Sequence, residues 1–310
     1  MEVQVDLRPL AETDLQAIVA IDQGITGRSR GPYFKRRFQA IWEEPGRCFA
    51  MVAEDQGRVV GYAFADLLDG EFGVDRRSGT IGAVGVARMV ERRGIGHRLL
   101  RALSERLAAA GAVQLHTEAE WSAHSLAAFF AAEGFRLAPR IVLERRLEDL
   151  AREPEADEEH AHQKLVVRSL DEQDVATLAR IDRQITGRDR TSYYRAKTKE
   201  ALSRSGVRVS LIAEVDHTPA GFVMARVDLG EFGRTEPRAV IDTVGVHPAF
   251  KGGHVGRALL EQLFLNLRTL QVEGVVTQVE WDHFELLQFL ARTGFRPSQR
   301  LSFDKDLTRA

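Results

Sequence analysis

The stretch that decides the fold lies in the second half of the chain, at residues 240–260. It reads Val240-Ile241-Asp242-Thr243-Val244-Gly245-Val246-His247-Pro248-Ala249-Phe250-Lys251-Gly252-Gly253-His254-Val255-Gly256-Arg257-Ala258-Leu259-Leu260. A strand pattern stops at a proline, crosses a glycine-rich turn and leads into a helix. Free backbone N–H groups at a helix start, glycines that permit close approach and a nearby lysine together suit an anion such as a pyrophosphate.

The first half of the chain repeats this stretch 160 residues earlier. It reads Val84-Gly85-Val86-Ala87-Arg88-Met89-Val90-Glu91-Arg92-Arg93-Gly94-Ile95-Gly96-His97. Other segments recur at the same separation: Ile25-Thr26-Gly27-Arg28 as Ile185-Thr186-Gly187-Arg188, Gly70-Glu71-Phe72-Gly73 as Gly230-Glu231-Phe232-Gly233, and Gly134-Phe135-Arg136 as Gly294-Phe295-Arg296. A repeat of this length is a whole domain, since each copy can form its own core. We predict a first copy at residues 1–148, an acidic linker at 149–163 and a second copy at 164–310.

Each copy shows the same order of secondary-structure patterns. A strand and a helix lead through a Thr-Gly-Arg loop to a second helix, three strands and the glycine-rich turn. A long amphipathic helix follows, at 96–110 or 256–272, with leucines at helical spacing. A buried strand, a short helix and a final strand complete the unit. Helices that flank a mixed sheet of about six strands predict an α/β sandwich in each copy.

Composition excludes several classes of function. The 310 residues carry 43 basic and 45 acidic side chains without a strong local basic excess, so no nucleic-acid partner is expected. No apolar run is long enough to cross a bilayer, and no secretory signal is visible at the N-terminus, so we expect a cytoplasmic protein without a membrane partner. The single cysteine, Cys48, excludes an internal disulfide and fits a packed core position. The histidines are scattered singly, so no metal site is expected.

The strand–turn–helix block and the later helix with its Gly-Phe ending resemble the GNAT superfamily of N-acetyltransferases, over nearly all of both copies. The resemblance implies acetyl-CoA as co-substrate, with its pyrophosphate on the turns at 91–96 and 251–256. It also implies that the pantetheine arm lies along a bulged strand, and Gly85 and Gly245 are the expected bulges. The predicted cofactor-binding residues are Val84, Val86, Arg92, Arg93, Gly94, Ile95 and Gly96 in the first copy, and Val244, Val246, Lys251, Gly252, Gly253, His254, Val255 and Gly256 in the second.

Both turns depart from the family pattern. Glu91 stands where Gln or Arg is expected, and His254 occupies the position of the first glycine. The tyrosine that many relatives use as a proton donor is replaced by Phe130 and Leu290.

Transfer of an acetyl group to an amine needs a group that takes the proton from the ammonium. The resemblance places an acidic base on the strand before the turn, where the second copy has Asp242 and the first has Gly82. This difference favours the second copy as the catalytic one. Glu280 is the second choice and Glu120 its counterpart, each followed by a tryptophan at the end of the next strand. The competing interpretations are a hydrogen-bonding role for Asp242 and a surface role for the glutamates.

The loops around the Thr-Gly-Arg repeats lie where the family binds its acceptor. Arg28, Arg30 and Tyr33, with Arg188, Arg190 and Tyr193, could clamp a carboxylate or phosphate on the acceptor. Pairing of Asp22 or Asp182 with one of these arginines is an equal alternative. The Glu-Phe-Gly segments at 71–73 and 231–233 favour a hairpin turn over a lining of the acceptor cleft.

These observations predict an N-acetyltransferase that acetylates a primary amine on a small molecule, an amino acid or a protein. The alternative from another class is an inactive acyl-CoA-binding or regulatory protein, since a proton donor is missing and both turns are altered. The sequence leaves the acceptor and a homodimeric state open.

Overall fold

A computed structural model describes residues 5–152, 165–203, 209–228, 231–234 and 236–308. Residues 153–163 of the predicted linker lie outside these ranges, and its first residues, 149–152, lie in a short 3-10 helix, Leu147–Arg152. Among the described residues no helix combines the length and the apolar character that a membrane span needs.

The two copies form the same elements in the same order. The first copy contains β1 (Asp6–Pro9), α1 (Leu15–Thr26), α2 (Gly31–Glu43), β2 (Cys48–Asp55), β3 (Arg58–Leu68), β4 (Ser78–Val86), α3 (Ile95–Ala109), β5 (Gln114–Glu120), α4 (His124–Ala132), β6 (Arg136–Leu137) and β7 (Arg140–Arg146). The second contains β8 (Leu165–Ser169), α5 (Val175–Thr186), α6 (Thr191–Ser203), β9 (Leu211–Val215), β10 (Thr218–Asp228), β11 (Arg238–Val246), α7 (Val255–Thr269), β12 (Gly274–Glu280), α8 (Phe284–Arg292), β13 (Arg296–Pro297) and β14 (Arg300–Asp306).

The strands form two seven-stranded sheets, which confirms a mixed, mostly antiparallel fold with flanking helices. The first sheet has the order β1-β2-β3-β4-β5-β14-β6, and the second has the order β13-β7-β12-β11-β10-β9-β8. Within them, β4 with β5 and β11 with β12 are the parallel pairs, and the other pairings are antiparallel. The predicted number of about six strands per sheet is one too small.

The two copies exchange their final strands. Strand β14 pairs with β5 along its whole length, from Arg300 opposite Glu120 to Asp306 opposite Gln114. Strand β7 pairs in the same way with β12 in the other sheet. The repeat predicts that each final strand completes its own copy, and this prediction is wrong for the sheets. The repeats are alike enough for each strand to fit either sheet. The predicted boundary at residue 148 therefore divides the sequence but not the sheets.

The long helices pack as their leucine spacing predicts. On α3, Leu99, Leu100, Leu103 and Leu107 are fully buried, and on α7 so are Leu259, Leu260, Leu263 and Leu267. The first set joins the core between α3 and the first sheet, and the second set joins the equivalent core of the second sheet. Burial of each leucine contributes about 1.5–3 kcal/mol. These cores fix the start of each long helix against the end of the strand that precedes it.

Candidate active site

A wedge opens in each sheet where two parallel strands diverge. In the first sheet β4 pairs with β5 only from Ser78 to Thr80, although both strands continue. In the second sheet β11 pairs with β12 only from Arg238 to Val240. We call the space between the diverging strands the first cleft (β4 and β5) and the second cleft (β11 and β12).

The strand that lines each cleft carries a bulge, but not at the predicted glycine. The register between β3 and β4 shifts opposite Gly82, and the register between β10 and β11 shifts opposite Asp242. Gly85 pairs regularly with Tyr62, and a Cβ at Gly85 would lie 2.7 Å from the Tyr62 ring. The prediction of a bulge at Gly85 and Gly245 is therefore wrong, because these glycines make room for an aromatic ring on the neighbouring strand.

The regular register after the bulge sets the direction of the backbone amides. The Ala87 N–H donates to Val60 at 2.8 Å, and hydrogen-bonded pairs alternate along an antiparallel ladder. The amides of Val84 and Val86 therefore point away from β3, toward the first cleft. The His247 N–H donates to Ala220 at 2.8 Å, so Val244 and Val246 present their amides to the second cleft in the same way.

The turn before α3 has features that suit an anion. Gly94 has the left-handed backbone (φ 74°) that glycine adopts without strain, and no side chain caps the helix start. Arg92 and Arg93 are exposed, and within the described ranges neither forms an ion pair. Glu91, which the sequence analysis found out of pattern, is exposed as well. Uncapped amides and two unpaired guanidinium groups leave a net positive site despite that carboxylate.

Two further predicted cofactor-binding positions at this turn, Ile95 and Gly96, have packing roles. Ile95 is buried, so it can offer only its backbone. A Cβ at Gly96 would lie 3.3 Å from the ring of Phe129, and in the second copy a Cβ at Gly256 would lie 3.1 Å from Phe289. These glycines thus let α4 and α8 pack closely against the helix starts.

The matching turn of the second copy is less open to an anion. His254 takes the left-handed conformation (φ 59°) that Gly94 has in the first copy. Lys251 pairs with Glu285 at 3.0 Å, and the Gly253 amide donates to Phe250 at 3.2 Å. Gly252 has a left-handed backbone and Val255 is buried. One charge of this turn is therefore already neutralised.

The first cleft contains a cavity of about 140 Å³. It lies between the bulged part of β4, the end of β5, α1 and α4. Its lining includes Asp22 and Ile25 from α1, Tyr62 from β3, Glu118 from β5, Phe130 from α4 and Phe232 from the second copy. Gly82 leaves the bulge without a side chain, which keeps this space open.

The second cleft holds a network of charged side chains at the equivalent place. Asp242 accepts from Arg226 at 2.7 Å through one oxygen, and its other oxygen lies 3.6 Å from the Lys197 ammonium. Lys197 also lies 3.3 Å from Glu200. Tyr193 shares a hydrogen bond of 2.9 Å with Thr243 on the same strand. Both carboxylate oxygens of the predicted base are thus engaged, and its role as a base stays a prediction.

A comparison of equivalent positions explains why Asp242 is present. In the first copy Arg37 pairs with Asp66 on β3 at 2.5 Å, and Asp66 lies opposite Thr80 on β4. In the second copy the equivalents are Lys197, Arg226 and Asp242. The acid lies on β3 in the first copy and on the neighbouring strand in the second, where a cation stands at the β3 position. Asp242 therefore shares with Glu71 and Glu200 the task of balancing Arg226 and Lys197.

The predicted alternative bases lie at the exposed ends of the strands that border the clefts. Glu120 and Glu280 are exposed at the ends of β5 and β12, and neither lines the first cavity. The residue that does is Glu118, two positions earlier. Sequence reasoning missed it, although a glutamate inside the strand Leu115-His116-Thr117-Glu118-Ala119 is itself an unusual feature.

Glu118 is a buried anion held by residues of the second copy. It accepts from Arg300 at 2.9 Å, from Arg234 at 3.3 Å and from Gln278 at 2.8 Å. Burial alone would raise the pKa of Glu118, but the two guanidinium groups together hold that pKa below its usual value. Glu118 therefore stays ionised and anchors both arginines.

The predicted acceptor-binding arginines pair with aspartates, as the alternative interpretation held. Arg30 donates to Asp22 at 2.6 and 2.9 Å in a buried pair, and Arg190 binds Asp182 in the same way. Arg28 and Arg188 are exposed. Tyr33 and Tyr193 are buried in the helix–sheet layer, and the Tyr193 hydroxyl is engaged by Thr243 and by the Gly73 amide.

A tyrosine completes the pair at the floor of the first cleft. Tyr62 donates to Asp22 at 2.7 Å, and burial together with that carboxylate raises the pKa of Tyr62. The hydroxyl therefore stays protonated. Phe130 and Leu290, at the positions of the missing proton donor, are buried.

The two Glu-Phe-Gly segments, which the sequence analysis favoured as hairpin turns, each reach the cleft of the other copy. Phe232 and Gly233 line the first cavity. In the opposite direction, the Gly73 amide donates to the Tyr193 hydroxyl at 3.2 Å, Arg190 donates to the Gly73 carbonyl, and Glu71 accepts from Arg226 at 2.6 Å. Segment 71–73 forms the predicted hairpin turn, since the Val74 N–H donates to the Glu71 carbonyl at 2.8 Å, whereas 231–233 forms a short 3-10 helix. Both segments also contact the cleft of the other copy, and a role in acceptor binding stays a prediction.

Comparison with known proteins agrees with this geometry. The chain matches the Acetyltransferase (GNAT) family at residues 15–135 and again at 173–295. It is 36% identical over 89 residues to a mycothiol acetyltransferase from Propionibacterium freudenreichii subsp. shermanii, a match that spans 25% of this chain and 28% of that relative.

Solved structures show the same fold at low identity. A tandem GNAT protein from the clavulanic acid biosynthesis pathway aligns with a TM-score of 0.66 and 20% identity, over 98% of both chains. An N-acetyltransferase from Sphaerobacter thermophilus aligns with a TM-score of 0.63 and 17% identity, over 97% of this chain and 95% of its own. A glucosamine N-acetyltransferase region of a fungal multi-domain protein aligns with a TM-score of 0.66 and 16% identity, over 98% of this chain and 38% of that one. Since the family match covers most of both copies, the chain belongs to the GNAT family of acetyltransferases.

Proposed function

We propose that this chain is an acetyl-CoA-dependent N-acetyltransferase that acetylates a small primary amine in the first cleft. The observation that carries the proposal is the cavity of about 140 Å³ beside strand amides that have no strand partner on that side. The second cleft is filled by the ion pairs of Asp242 and by the loop of the first copy. Within the described residues, the first cleft is therefore the better place for two substrates to meet.

The residues around the first cleft fit acetyl-CoA. Its diphosphate would lie at the start of α3, where Gly94 and the uncapped amides meet Arg92 and Arg93. Its thioester arm would run along β4, within reach of the Val84 and Val86 amides. Acetyl-CoA supplies the activated acetyl group, and the chain supplies binding and orientation.

The proposed reaction is a direct transfer in which no side chain forms a covalent bond to the acetyl group. The amine nitrogen attacks the thioester carbonyl carbon, so that a C–N bond forms while the C–S bond breaks. The sulfur leaves with the bonding pair and takes up a proton, and the nitrogen loses one. Amides of β4 that point into the cleft would stabilise negative charge that develops on the carbonyl oxygen.

The cleft contains no free carboxylate in its described lining that could take the amine proton. Asp22 is bound by Arg30 and Tyr62, and Glu118 by two arginines. The acceptor would therefore enter as the neutral amine, with its proton lost to water. Positioning alone can supply much of the acceleration, since intramolecular reactions of well-oriented groups gain about 7–11 kcal/mol.

One observation favours the second candidate, an acyl-CoA-binding protein without turnover. Phe130 occupies the position of the missing proton donor, and the carboxylates nearby are engaged. Such a protein would still bind the diphosphate at the turn before α3 but would not transfer the acetyl group.

The test combines turnover with binding. Free thiol released from acetyl-CoA is followed with a panel of primary amines, which includes the acceptor of the mycothiol acetyltransferase relative. Calorimetry with CoA is run in parallel. Amine-dependent thiol release supports the transferase, and micromolar CoA binding without release for any amine supports the binding protein. Absence of both would reject each proposal.

A further inference from the structure

We infer that Phe232, a residue of the second copy, forms a wall of the acceptor pocket in the first cleft and selects amines by the size of their apolar group. This inference rests on the proposed function and adds a substrate class to it. Phe232 belongs to the cavity lining although it lies 114 positions after Glu118, the β5 residue beside it.

The position of Phe232 is fixed by polar contacts rather than by its own strand. Arg300 donates to the Phe232 carbonyl at 2.7 Å and to Glu118 at 2.9 Å, so one guanidinium ties the loop to β5. Arg234, two residues after Phe232, donates to the same carboxylate at 3.3 Å. The Phe232 ring stands edge-on to His116, with ring centroids 6.1 Å apart. A residue so held can act as a fixed wall.

The backbone of Phe232 is itself unusual. Its φ of 53° and ψ of 34° lie in the left-handed region, which a bulky residue adopts only when its surroundings require it. The equivalent Phe72 has a φ of 47°, so both loops share this shape. Phe232 borders both the large cavity and a smaller cavity of about 10 Å³, whereas Phe72 borders the smaller cavity and is absent from the lining of the large one. Phe72 is therefore a natural control.

The lining indicates which amines fit. Ile25, Leu126, Phe130 and Phe232 give the cavity an apolar wall. Its acidic groups, Asp22 and Glu118, are already paired with arginines. They are therefore poor partners for a second cationic group on the acceptor. The volume of about 140 Å³ is below the roughly 300–1,000 Å³ of pockets for drug-sized ligands. The class indicated is a primary amine on a compact alkyl or aryl group, without a further charge.

The experiment compares Phe232→Ala and Phe232→Trp with the control Phe72→Ala. The ratio of kcat/KM for a bulky amine (phenethylamine) to that for a small one (ethylamine) is measured, with the KM for acetyl-CoA. We expect Phe232→Ala to raise the ratio about tenfold and Phe232→Trp to lower it. The KM for acetyl-CoA should change less than twofold, and Phe72→Ala should keep the wild-type ratio. An unchanged ratio in both Phe232 variants, or an equal change in Phe72→Ala, would overturn the inference.

A binding measurement separates this inference from the proposed function. If the wild type releases no thiol with any amine, the transferase proposal fails, and amine affinity in the presence of CoA is measured by calorimetry instead. Tighter binding of phenethylamine to Phe232→Ala, but not to Phe72→Ala, would then uphold the pocket wall without catalysis. Equal affinities in wild type and both variants would reject it.

Discussion

Asp242 forms ion pairs with Arg226 and Lys197. Its contribution to stability can therefore be measured separately from any contribution to catalysis. Asp242→Asn removes the charge that Arg226 and Lys197 share. Breaking a buried ion pair costs about 3–5 kcal/mol. We expect a loss of stability of that order in urea unfolding, with a kcat within about threefold of wild type. Asp66→Asn, which breaks the equivalent pair with Arg37, is the matched control and should lose a similar amount.

A catalytic Asp242 would give a different pair of results. Loss of a positioned base lowers the rate by about 10²–10⁴-fold and removes its limb from the pH–rate profile. A fall of that size in Asp242→Asn, with stability close to wild type, would restore the second copy as the active one.

The ion pairs of Glu118 predict how the free energy of unfolding changes as the pH falls. Because the folded pKa of Glu118 is held below its ordinary value of 4.5, its charged contacts stabilise the protein above that pH. That contribution is lost as the pH falls through the lowered pKa, where the carboxylate takes up a proton. Wild type should therefore lose more stability than Glu118→Gln between pH 6 and pH 3. The measurement is the urea midpoint at both pH values, and a steeper loss in the variant would contradict the assignment.

At the scale of elements, the starts of α3 and α7 differ in how well they can hold an anion. A Cβ at Gly96 or at Gly256 meets a phenylalanine at nearly the same distance, so substitution strains both helices alike. Glutamate at either position also adds negative charge to its turn. We expect Gly96→Glu to weaken CoA binding at least tenfold and Gly256→Glu to change it less than threefold, by calorimetry. A larger effect of Gly256→Glu would move the co-substrate to the second cleft.

The same elements show what the sequence could predict. The leucine spacing of α3 and α7 follows from a 3.6-residue period, and the glycine-rich turns follow from local backbone preferences, so both were predictable. The bulge was not, since Gly82 and Gly85 look alike until the Tyr62 ring is placed over one of them. The exchange of β7 and β14 was also hidden, because two similar sheets offer each strand nearly the same partners.

The sequence indicates the backbone features of the candidate site better than its side-chain contacts. Of the strand and turn residues from Val84 to Gly96, Val84 lines the cavity of the first cleft, and binding of a co-substrate by the others stays a prediction. The side chains were harder, because the partners of Asp242 lie 16 and 45 positions away and those of Glu118 lie in the other copy. Long-range pairing decided which carboxylates are free, and a single sequence does not display it.

At the scale of the whole molecule, each copy completes the other. β14 lies between β5 and β6 in the first sheet, and β7 lies between β12 and β13 in the second. Loops 71–73 and 231–233 contact the opposite clefts. Arg300 on the exchanged β14 also anchors Glu118 in the first cleft. A second copy without an acceptor site of its own would thus still be needed for the first cleft to keep its shape.

This exchange predicts that the two copies unfold together. Leu103 on α3 and Leu263 on α7 are equivalent and fully buried, and truncation of either to alanine costs about 2–5 kcal/mol. If neither sheet is stable without the strand it receives, calorimetry should show one transition whose calorimetric and van't Hoff enthalpies agree. Both variants should shift that single transition to lower temperature by similar amounts. Two separate transitions, of which Leu103→Ala moves one and Leu263→Ala the other, would mean that the exchanged strands join the copies without coupling them.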